Sequence, residues 1–558
     1  MKINKDFGYK FLGLFAILAV AAILRFWNLG INPPGLTPDE AALGYNAYSI
    51  LKTGKDEFGT TLPIIFKSFG DYKPGLYVYM DIPFIAAFGL NEVSTRLPSV
   101  VAGVISVLLI YLIVKQLEFG YWKLEIIAAF VAATNPWLIY FSRGAWEANV
   151  SLCLTLLGIF LFLKALKEPK FLVFSAASFA LTLVAYQGAK LSTLIVLVIL
   201  SLVYFKECSK FFIHFKKELA ISVILGILII FPIAMSFLNG ETFRLNIFSI
   251  FSYRRPQAQV QALLAEDGEK MGSFSYDIFH SESLNYVNAI LGRYFNNFSG
   301  RFLFFEGDWA NPISTAPYQG ALLLSDLVFL PLGIFFAFSS KPKKGHLLFF
   351  LWLLMAPLSA ALSRDDLNAV RDLNLAIPMI IFISIGVGKM YTKLVSHINI
   401  PLSTLVLIGI YIFPVVYFLD ALFVHLPVHS SNLWRYGYKQ AVSYISSVQP
   451  NYKSIVFEQS FNQPYIYFLF YQKYDPVGWQ KQAKLVNSQY VGDVGFEEKL
   501  GNISFSRIDW SALKNQHGTL VVAAPSSLPP DYQNNAKLVD EIKFLNGRDI
   551  AFDIIQMK

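Results

Sequence analysis

The sequence predicts an α-helical polytopic membrane protein that ends in a small α/β domain, and three observations carry that reading. Of its 558 residues, 55% are hydrophobic and 15% charged, whereas soluble globular domains carry about 25% charged residues. Apolar runs at or near the length a helix needs to cross a bilayer, about 20 residues, recur between residues 11 and 424. After about residue 425 the composition changes to that of a soluble domain, with strand-like stretches between turn residues.

The same composition excludes several classes. A formal net charge of +8 would suit a nucleic-acid partner, but no extended basic and aromatic groove accompanies it. The lysines sit in short loops between apolar runs, which membrane topology explains. Cys153 and Cys208 fall in an apolar run and a lysine-rich loop, arguing against a disulfide framework or a cysteine metal site. Phe11 to Trp27 follows Lys2, Lys5 and Lys10 as a signal peptide would. It continues into RFWNLGINPP without a small-residue cleavage site, so it reads as a retained first span.

The apolar runs lie at 11–30, 97–115, 124–141, 147–165, 170–188, 190–205, 218–238, 320–339, 346–362, 373–391 and 402–424, about eleven transmembrane helices in all. Between them come Lys115 and Lys123, then Lys164, Lys167 and Lys170, then Lys206, Lys210, Lys216 and Lys217, then Lys341, Lys343 and Lys344, then Lys389 and Lys393. Every second loop is basic, so these loops and the N-terminus are expected in the cytoplasm. The alternate loops are expected outside: 31–96, 141–147, the turn near Gln187 to Lys190, 239–319, 363–372 and everything after about 425. GLYVYMDIPFIAAFGL, 75–90, is also apolar, but about fifteen helical residues rise only about 22 Å against a core of about 30 Å. Were it to cross, every later lysine loop would change sides. It is therefore expected to lie along the outer interface, a depth that suits Tyr77, Tyr79 and Asp81.

The loop 239–319 shows helical periodicity in QAQVQALLAEDGEKM and is expected to pack over the outer face. In the tail, KSIVFEQ and GTLVVAAP read as strands and PYIYFLFYQKY as a buried helix or strand. KLVDEIKFLNGRDIAFDIIQM reads as a hairpin turning at Asn546-Gly547. The expected domains are thus 1–424, a transmembrane unit, and 425–558, an extracytoplasmic α/β domain.

Polar residues collect on the expected outer side: Asp39, Glu40, Asp71, Lys73, Arg96, Arg143, Glu147, Lys190, Arg364, Asp365, Asp366, Arg371 and Asp372. Ionisable groups near membrane depth are expensive, so they pair or serve a function. Arg143 and Glu147, four apart, are expected on one helix face, either as a structural pair or as a pocket pair. Lys73, Lys190 and Arg371 sit at the mouths of spans, where a lipid-linked phosphate would lie, and Arg96 reads as an anchor. A carboxylate there can take a proton from an acceptor hydroxyl while lysine and arginine neutralise the departing phosphate, which is single-displacement glycosyl transfer. Nucleotide sugars are cytosolic, so a polyprenyl-phosphate sugar is the donor that fits the side and depth. The rival reading of Asp39 and Glu40 is local. TPDE is a good helix start, with Thr37 as cap and Pro38 in the first turn, where acids are favoured anyway. His425 and His429 have a metal-like spacing, but Pro427 lies between them and no third ligand is near, so no metal site is expected.

LRFWNLGINPPGLTPDEAALGYNAYSI, GDYKPGLYVYMDIPFIAAFGLNEVSTRLPSVVAGVISVLLIYLIVKQL and NPWLIYFSRGAWEANVSLCLTLLGIFLFLKAL resemble the N-terminal half of the polytopic GT-C glycosyltransferases. Within these, the resemblance is to bacterial relatives of protein O-mannosyltransferases and lipid A aminoarabinose transferases. It runs from about residue 20 to 205 and returns at LNAVRDLNLAIP, and KPG stands where relatives often have a second proline. It implies a catalytic aspartate in the acidic pair Asp39 and Glu40. It also implies that Lys73 and Arg143 serve the phosphate or the pocket, with Lys190 and Arg371 as further pocket residues, while Glu147 enters the pocket only through its spacing to Arg143. Donors would be undecaprenyl- or dolichyl-linked, many members need no metal, and no cofactor is expected. The partners implied are the lipid-linked sugar, an extracytoplasmic acceptor and the bilayer, with the protein in the cytoplasmic membrane. The competing classes are a lipid-linked-glycan flippase or transporter, which would show inverted repeats and mid-bilayer charges, and an O-antigen ligase or polymerase, which would not need an acidic pair after the first span.

Overall fold

The computed structural model describes residues 5–238, 249–252, 254–268, 270–339, 341–459, 463–483, 486–487 and 495–558. Part of the large loop expected at 239–319 therefore lies outside the described residues, at 239–248, 253 and 269.

Each apolar run is helical, but the runs differ in length and straightness. Among the described residues six helices are long and apolar enough to cross a membrane, fewer than the eleven or so expected: Glu92–Leu117, Glu147–Ala165, Lys216–Ser236, Lys344–Ala361, Leu373–Val395 and Ile400–His429. Two more runs are helix pairs bent at a short break, Leu124–Thr134 with Pro136–Ser142 at 57° and Ala189–Val203 with Phe205–His214 at 88°. Leu12–Phe26, Phe171–Ala185 and Asp326–Phe338 are shorter apolar helices. The bend after Thr134 has a local cause. Asn135 caps the second helix by accepting from the Leu138 N–H at 2.9 Å, and Pro136 has no N–H to continue the first. Leu76–Phe88, the segment expected along the interface, is a helix of 13 residues, about 20 Å long and shorter than the hydrocarbon core, a length it shares with Asp326–Phe338.

The first loop is held by its ends. Thr37 accepts from the Glu40 N–H at 3.1 Å while Glu40 accepts from the Thr37 N–H at 3.0 Å. This capping box, with Pro38 in the first turn, starts the helix Pro38–Thr53, and Gly54 ends it in a left-handed conformation with φ 69°. Ile65–Ser68 and Asp71–Pro74 then form an antiparallel hairpin in which Phe66 opposes Lys73. Its turn residues Phe69 and Gly70 both have positive φ, 54° and 83°, the geometry that matches strand twist in a two-residue hairpin loop. The sequence reading did not anticipate this hairpin.

In the large loop the expected periodicity appears as the helix Gln257–Asp267, followed by Glu282–Asn296. The C-terminal part is built on a mixed six-stranded sheet in the order Lys499–Leu500, Ile503–Ser506, Ile455–Glu458, Leu520–Ala523, Ile550–Met557, Ala536–Lys543. Ile455–Glu458 runs parallel to both neighbours, and the last two strands form the expected hairpin. PYIYFLFYQKY resolves as a buried helix, Pro464–Tyr471. That helix packs against Pro38–Thr53: the Tyr467 hydroxyl donates to the Leu36 carbonyl at 3.0 Å, and the Tyr45 hydroxyl to the Tyr474 carbonyl at 3.1 Å. The first loop is thereby clamped between the helical bundle and the C-terminal sheet.

Candidate functional site

The adjacent acids Asp39 and Glu40 part company because consecutive helical residues point about 100° apart. Glu40 is buried. Its Oε1 accepts from Arg96 Nε at 3.0 Å and from the Ala145 N–H at 2.8 Å, and its Oε2 accepts from the Thr37 N–H at 3.0 Å. Asp39 is exposed, its side chain 61% accessible, and it pairs with Lys73, whose own side chain is only 9% accessible. The local reading of the pair thus holds for Glu40, which caps the helix and is clamped by Arg96, while Asp39 is left solvent-exposed beside a cation.

Arg96 is more than an anchor at the start of a span. Its guanidinium is fully buried and, besides Glu40, donates to the carbonyls of Leu29 at 2.9 Å, Pro33 at 3.1 Å and Gly35. It thus satisfies the irregular backbone between the first span and the first-loop helix. A capped N-terminus at NEVSTRLPS puts an arginine one turn inside a span at its mouth, and that was the available signal. Lys73 is placed by the hairpin, with Phe69 beneath its ammonium at 5.4 Å from the ring centroid.

Asp39, Glu40, Lys73 and Glu147 line one cavity of about 370 Å³, together with Tyr186, Asn311, Asn368 and Arg435. Its far wall is fixed by Asp308, which accepts from the Ala369 N–H at 2.7 Å and the Asn311 N–H at 2.8 Å and so ties two loops together. Burial pushes the Asp308 carboxyl up to about 6 despite those donors. Behind Lys73, burial raises the Glu57 carboxyl to about 8, against the pull of its hydrogen bond from Asn46 at 3.0 Å. A second cavity of about 400 Å³ adjoins the first across Tyr186 and holds Lys190 and Arg371. Arg371 also pairs with Asp365 at 3.3 Å. Lys73 and Arg371 thus have acidic neighbours, which the sequence reading did not supply.

Arg143 requires a correction, because it lines neither cavity. It is the residue after the short helix Pro136–Ser142, and Glu147 begins the next helix, so their spacing of four does not place them on one helix face. The guanidinium is buried, donating to the carbonyls of Leu24 at 3.0 Å, Trp27 at 2.8 Å and Asn32 at 2.8 Å, and it lies 4.8 Å from the Phe423 ring centroid. Its chemistry is that of a backbone clamp. Glu147, by contrast, does reach the cavity wall. His425 and His429 both pack on Tyr318. Among the described residues no three His, Cys, Asp or Glu side chains are grouped as metal ligands. Arg435 entered no sequence argument, because its place arises only when the C-terminal part folds back on the first loop.

By sequence, no family model matches the chain and no curated relative matches it. By structure, the chain is similar to ArnT from Cupriavidus metallidurans in the apo state, with TM-score 0.57 and 13% identity over 99% of this chain and 98% of that one. It is similar also to the same protein bound to undecaprenyl phosphate, with TM-score 0.54 and 11% identity over 97% of each chain. A third similarity is to the archaeal oligosaccharyltransferase AglB from Archaeoglobus fulgidus in complex with an inhibitory peptide and a dolichol-phosphate. There the TM-score is 0.50 and the identity 12%, over 83% of this chain and 64% of that one. The chain has the GT-C fold of a multi-pass membrane protein, with a C-terminal α/β region.

Proposed function

We propose that the protein is a membrane glycosyltransferase that moves a sugar from a polyprenyl-phosphate donor to an acceptor on the outer face of the cytoplasmic membrane. The observation that carries this reading is the pairing of an exposed carboxylate, Asp39, with a largely buried cation, Lys73, in the wall of a cavity at the mouth of the spans. The structural neighbours include proteins bound to undecaprenyl phosphate and to a dolichol-phosphate, which supports a lipid-linked donor.

In the proposed reaction the donor phosphate displaces Asp39 as the partner of Lys73, which frees the carboxylate as a base. The acceptor hydroxyl oxygen attacks the anomeric carbon, its proton passes to Asp39, and the bond from that carbon to the phosphate oxygen breaks. The polyprenyl phosphate leaves with its charge matched by Lys73. Glu40 acts as a positioning residue, since its oxygens are already engaged by Arg96, Ala145 and Thr37. Lys190 and Arg371, in the neighbouring cavity beside the spans, supply cationic charge on the lipid side. Arg143 holds the chain leading to the site and touches no reactant. Side chains of this chain, Lys73 with Lys190 and Arg371 nearby, meet the charge on the leaving phosphate.

Mass spectrometry of lipids co-purifying with the protein tests the donor assignment. A polyprenyl-phosphate hexose or pentose retained by the wild type and lost in Lys73→Ala supports it. A Lys73→Ala variant that keeps the lipid at wild-type occupancy overturns it.

A further inference from the structure

The cavity that holds Asp39 has a neighbour on the side away from Lys190. This third cavity, of about 220 Å³, lies at the seam between the segment 432–438 and the C-terminal sheet. Asn432, Arg435, Tyr436 and Tyr438 face it from the segment, and Glu458 and Phe552 from the strands. Leu433 and Arg435 line both this cavity and the one holding Asp39. The three cavities therefore form a row. Tyr186 is the shared wall toward the spans, and Leu433 with Arg435 is the shared wall toward the C-terminal sheet.

Arg435 is unusual in backbone and side chain alike. Its φ is 56°, a left-handed conformation that non-glycine residues seldom adopt and that concentrates at functional sites. Its side chain makes a single hydrogen bond among the described residues, Nη1 to the Asn432 carbonyl at 3.3 Å. Glu458, across the cavity, directs its carboxylate to other donors, the Ala524 N–H at 2.7 Å and the Ser527 hydroxyl at 2.5 Å. Half-buried Arg435 thus lines the cavity beside one half-buried ring, Tyr436, with Tyr438 and Phe552 packed on each other behind it. That combination suits a sugar, whose C–H face packs on an aromatic ring while its vicinal hydroxyls accept from the fork. The volume lies below the roughly 300–1,000 Å³ of drug-sized ligand pockets, on the scale of a sugar ring rather than a lipid chain.

We infer that this seam cavity is the acceptor subsite: it takes a sugar ring of a glycan acceptor, and Arg435 orients that acceptor toward Asp39. The inference rests on the proposed transferase reading, with the lipid donor on the Tyr186 side and the acceptor on the Arg435 side.

Saturation-transfer NMR tests it on the full-length protein in nanodiscs without donor, using methyl hexopyranosides and neutral disaccharides as probes and inorganic phosphate in a separate titration. Arg435→Asn is the main variant, since asparagine tolerates the left-handed backbone, and Arg435→Lys keeps the charge but removes the fork. Both are first shown to unfold at the wild-type temperature. The expected result is transfer to ring protons of at least one probe in the wild type and equally in Asp39→Asn. Affinity should weaken about tenfold or more in Arg435→Asn, the effect of losing a charge-assisted donor pair. Absence of saturation across the sugar panel, unchanged affinity in both Arg435 variants, or Arg435-dependent binding of phosphate without sugar overturns the subsite. Wild-type transfer activity in Asp39→Asn would instead overturn the transferase mechanism while leaving sugar binding as its own result.

Discussion

Arg96→Ala removes the guanidinium that links the first span, the first loop and Glu40. In the native protein Arg96 and Glu40 form a fully buried pair at 3.0 Å, with side-chain exposures of 0% and 5%. Without the arginine, Glu40 keeps donors only from the backbone at Ala145 and Thr37, and the carbonyls of Leu29, Pro33 and Gly35 lose theirs. Breaking a buried pair from one side typically costs about 3–5 kcal/mol, because an uncompensated charge stays behind. Asp39→Asn perturbs a pair whose acid is exposed, so its effect on stability is about 0–1 kcal/mol. Denaturation by SDS in mixed micelles, followed through maleimide labelling of the buried Cys153 in a Cys208→Ser background, measures both. Arg96→Ala is expected to be far less stable than Asp39→Asn. The double variant Glu40→Gln with Arg96→Ala, compared with each single variant, should lose less than the sum of the two, with a coupling of about 0.5–3 kcal/mol. Equal stability for Arg96→Ala and wild type, or strict additivity in the cycle, would refute the reasoning that Glu40 is a clamp.

Three further substitutions probe other parts of the account. Glu57 sits at about 8 in the folded protein against 4.5 when exposed. The folded state therefore holds a proton that the unfolded chain has lost, and this contribution is fully present below about 4.5 and disappears as pH rises through about 8. Glu57→Gln should flatten the fall in thermal midpoint across that window relative to wild type, and parallel pH profiles would contradict it. A Cβ on Gly35 would overlap the backbone carbonyl of Trp434, which cannot rotate away. Gly35→Ala is expected to destabilise by about 1–3 kcal/mol and to lower transfer as the segment 432–438 is pushed off the first loop; wild-type stability would show that this seam is slack. Arg371→Ala should raise the KM for the lipid donor more than it lowers kcat, measured with donor titrations in proteoliposomes, and a pure kcat effect would place Arg371 at the reacting centre instead.

Where the bilayer dictates length, the sequence was easy to read. The apolar runs became helical, because hydrocarbon thickness sets a scale that composition reveals, but breaks and short helices inside them did not show. Among the described residues six helices, or up to eight counting bent pairs, are long enough to cross against about eleven expected, and Asp326–Phe338 is as short as Leu76–Phe88. TPDE was legible as a helix start for a similar reason, since capping is local chemistry. The T-x-x-E spacing from Thr37 also marks Glu40 as the acid of a capping box; what that stretch could not reveal was that Arg96, from a distant helix, would hold the same carboxylate. The spacing of Arg143 and Glu147 misled because the helical period carries meaning only inside one helix, and the chain breaks between them. The hairpin that carries Lys73 has strands of four residues ending in a proline, too short for alternation to register. Arg435 was out of reach altogether: its meaning lies in lining the cavity of Asp39, a juxtaposition made by the fold.

Transfer by Asp39→Asn in proteoliposomes, with occupancy of the co-purifying donor lipid quantified on the same preparation, tests the central claim most directly. The account predicts wild-type lipid occupancy and stability with the transfer rate down by about 10²–10⁴-fold, the contribution expected of a general base. Transfer at the wild-type rate with the donor bound would contradict it.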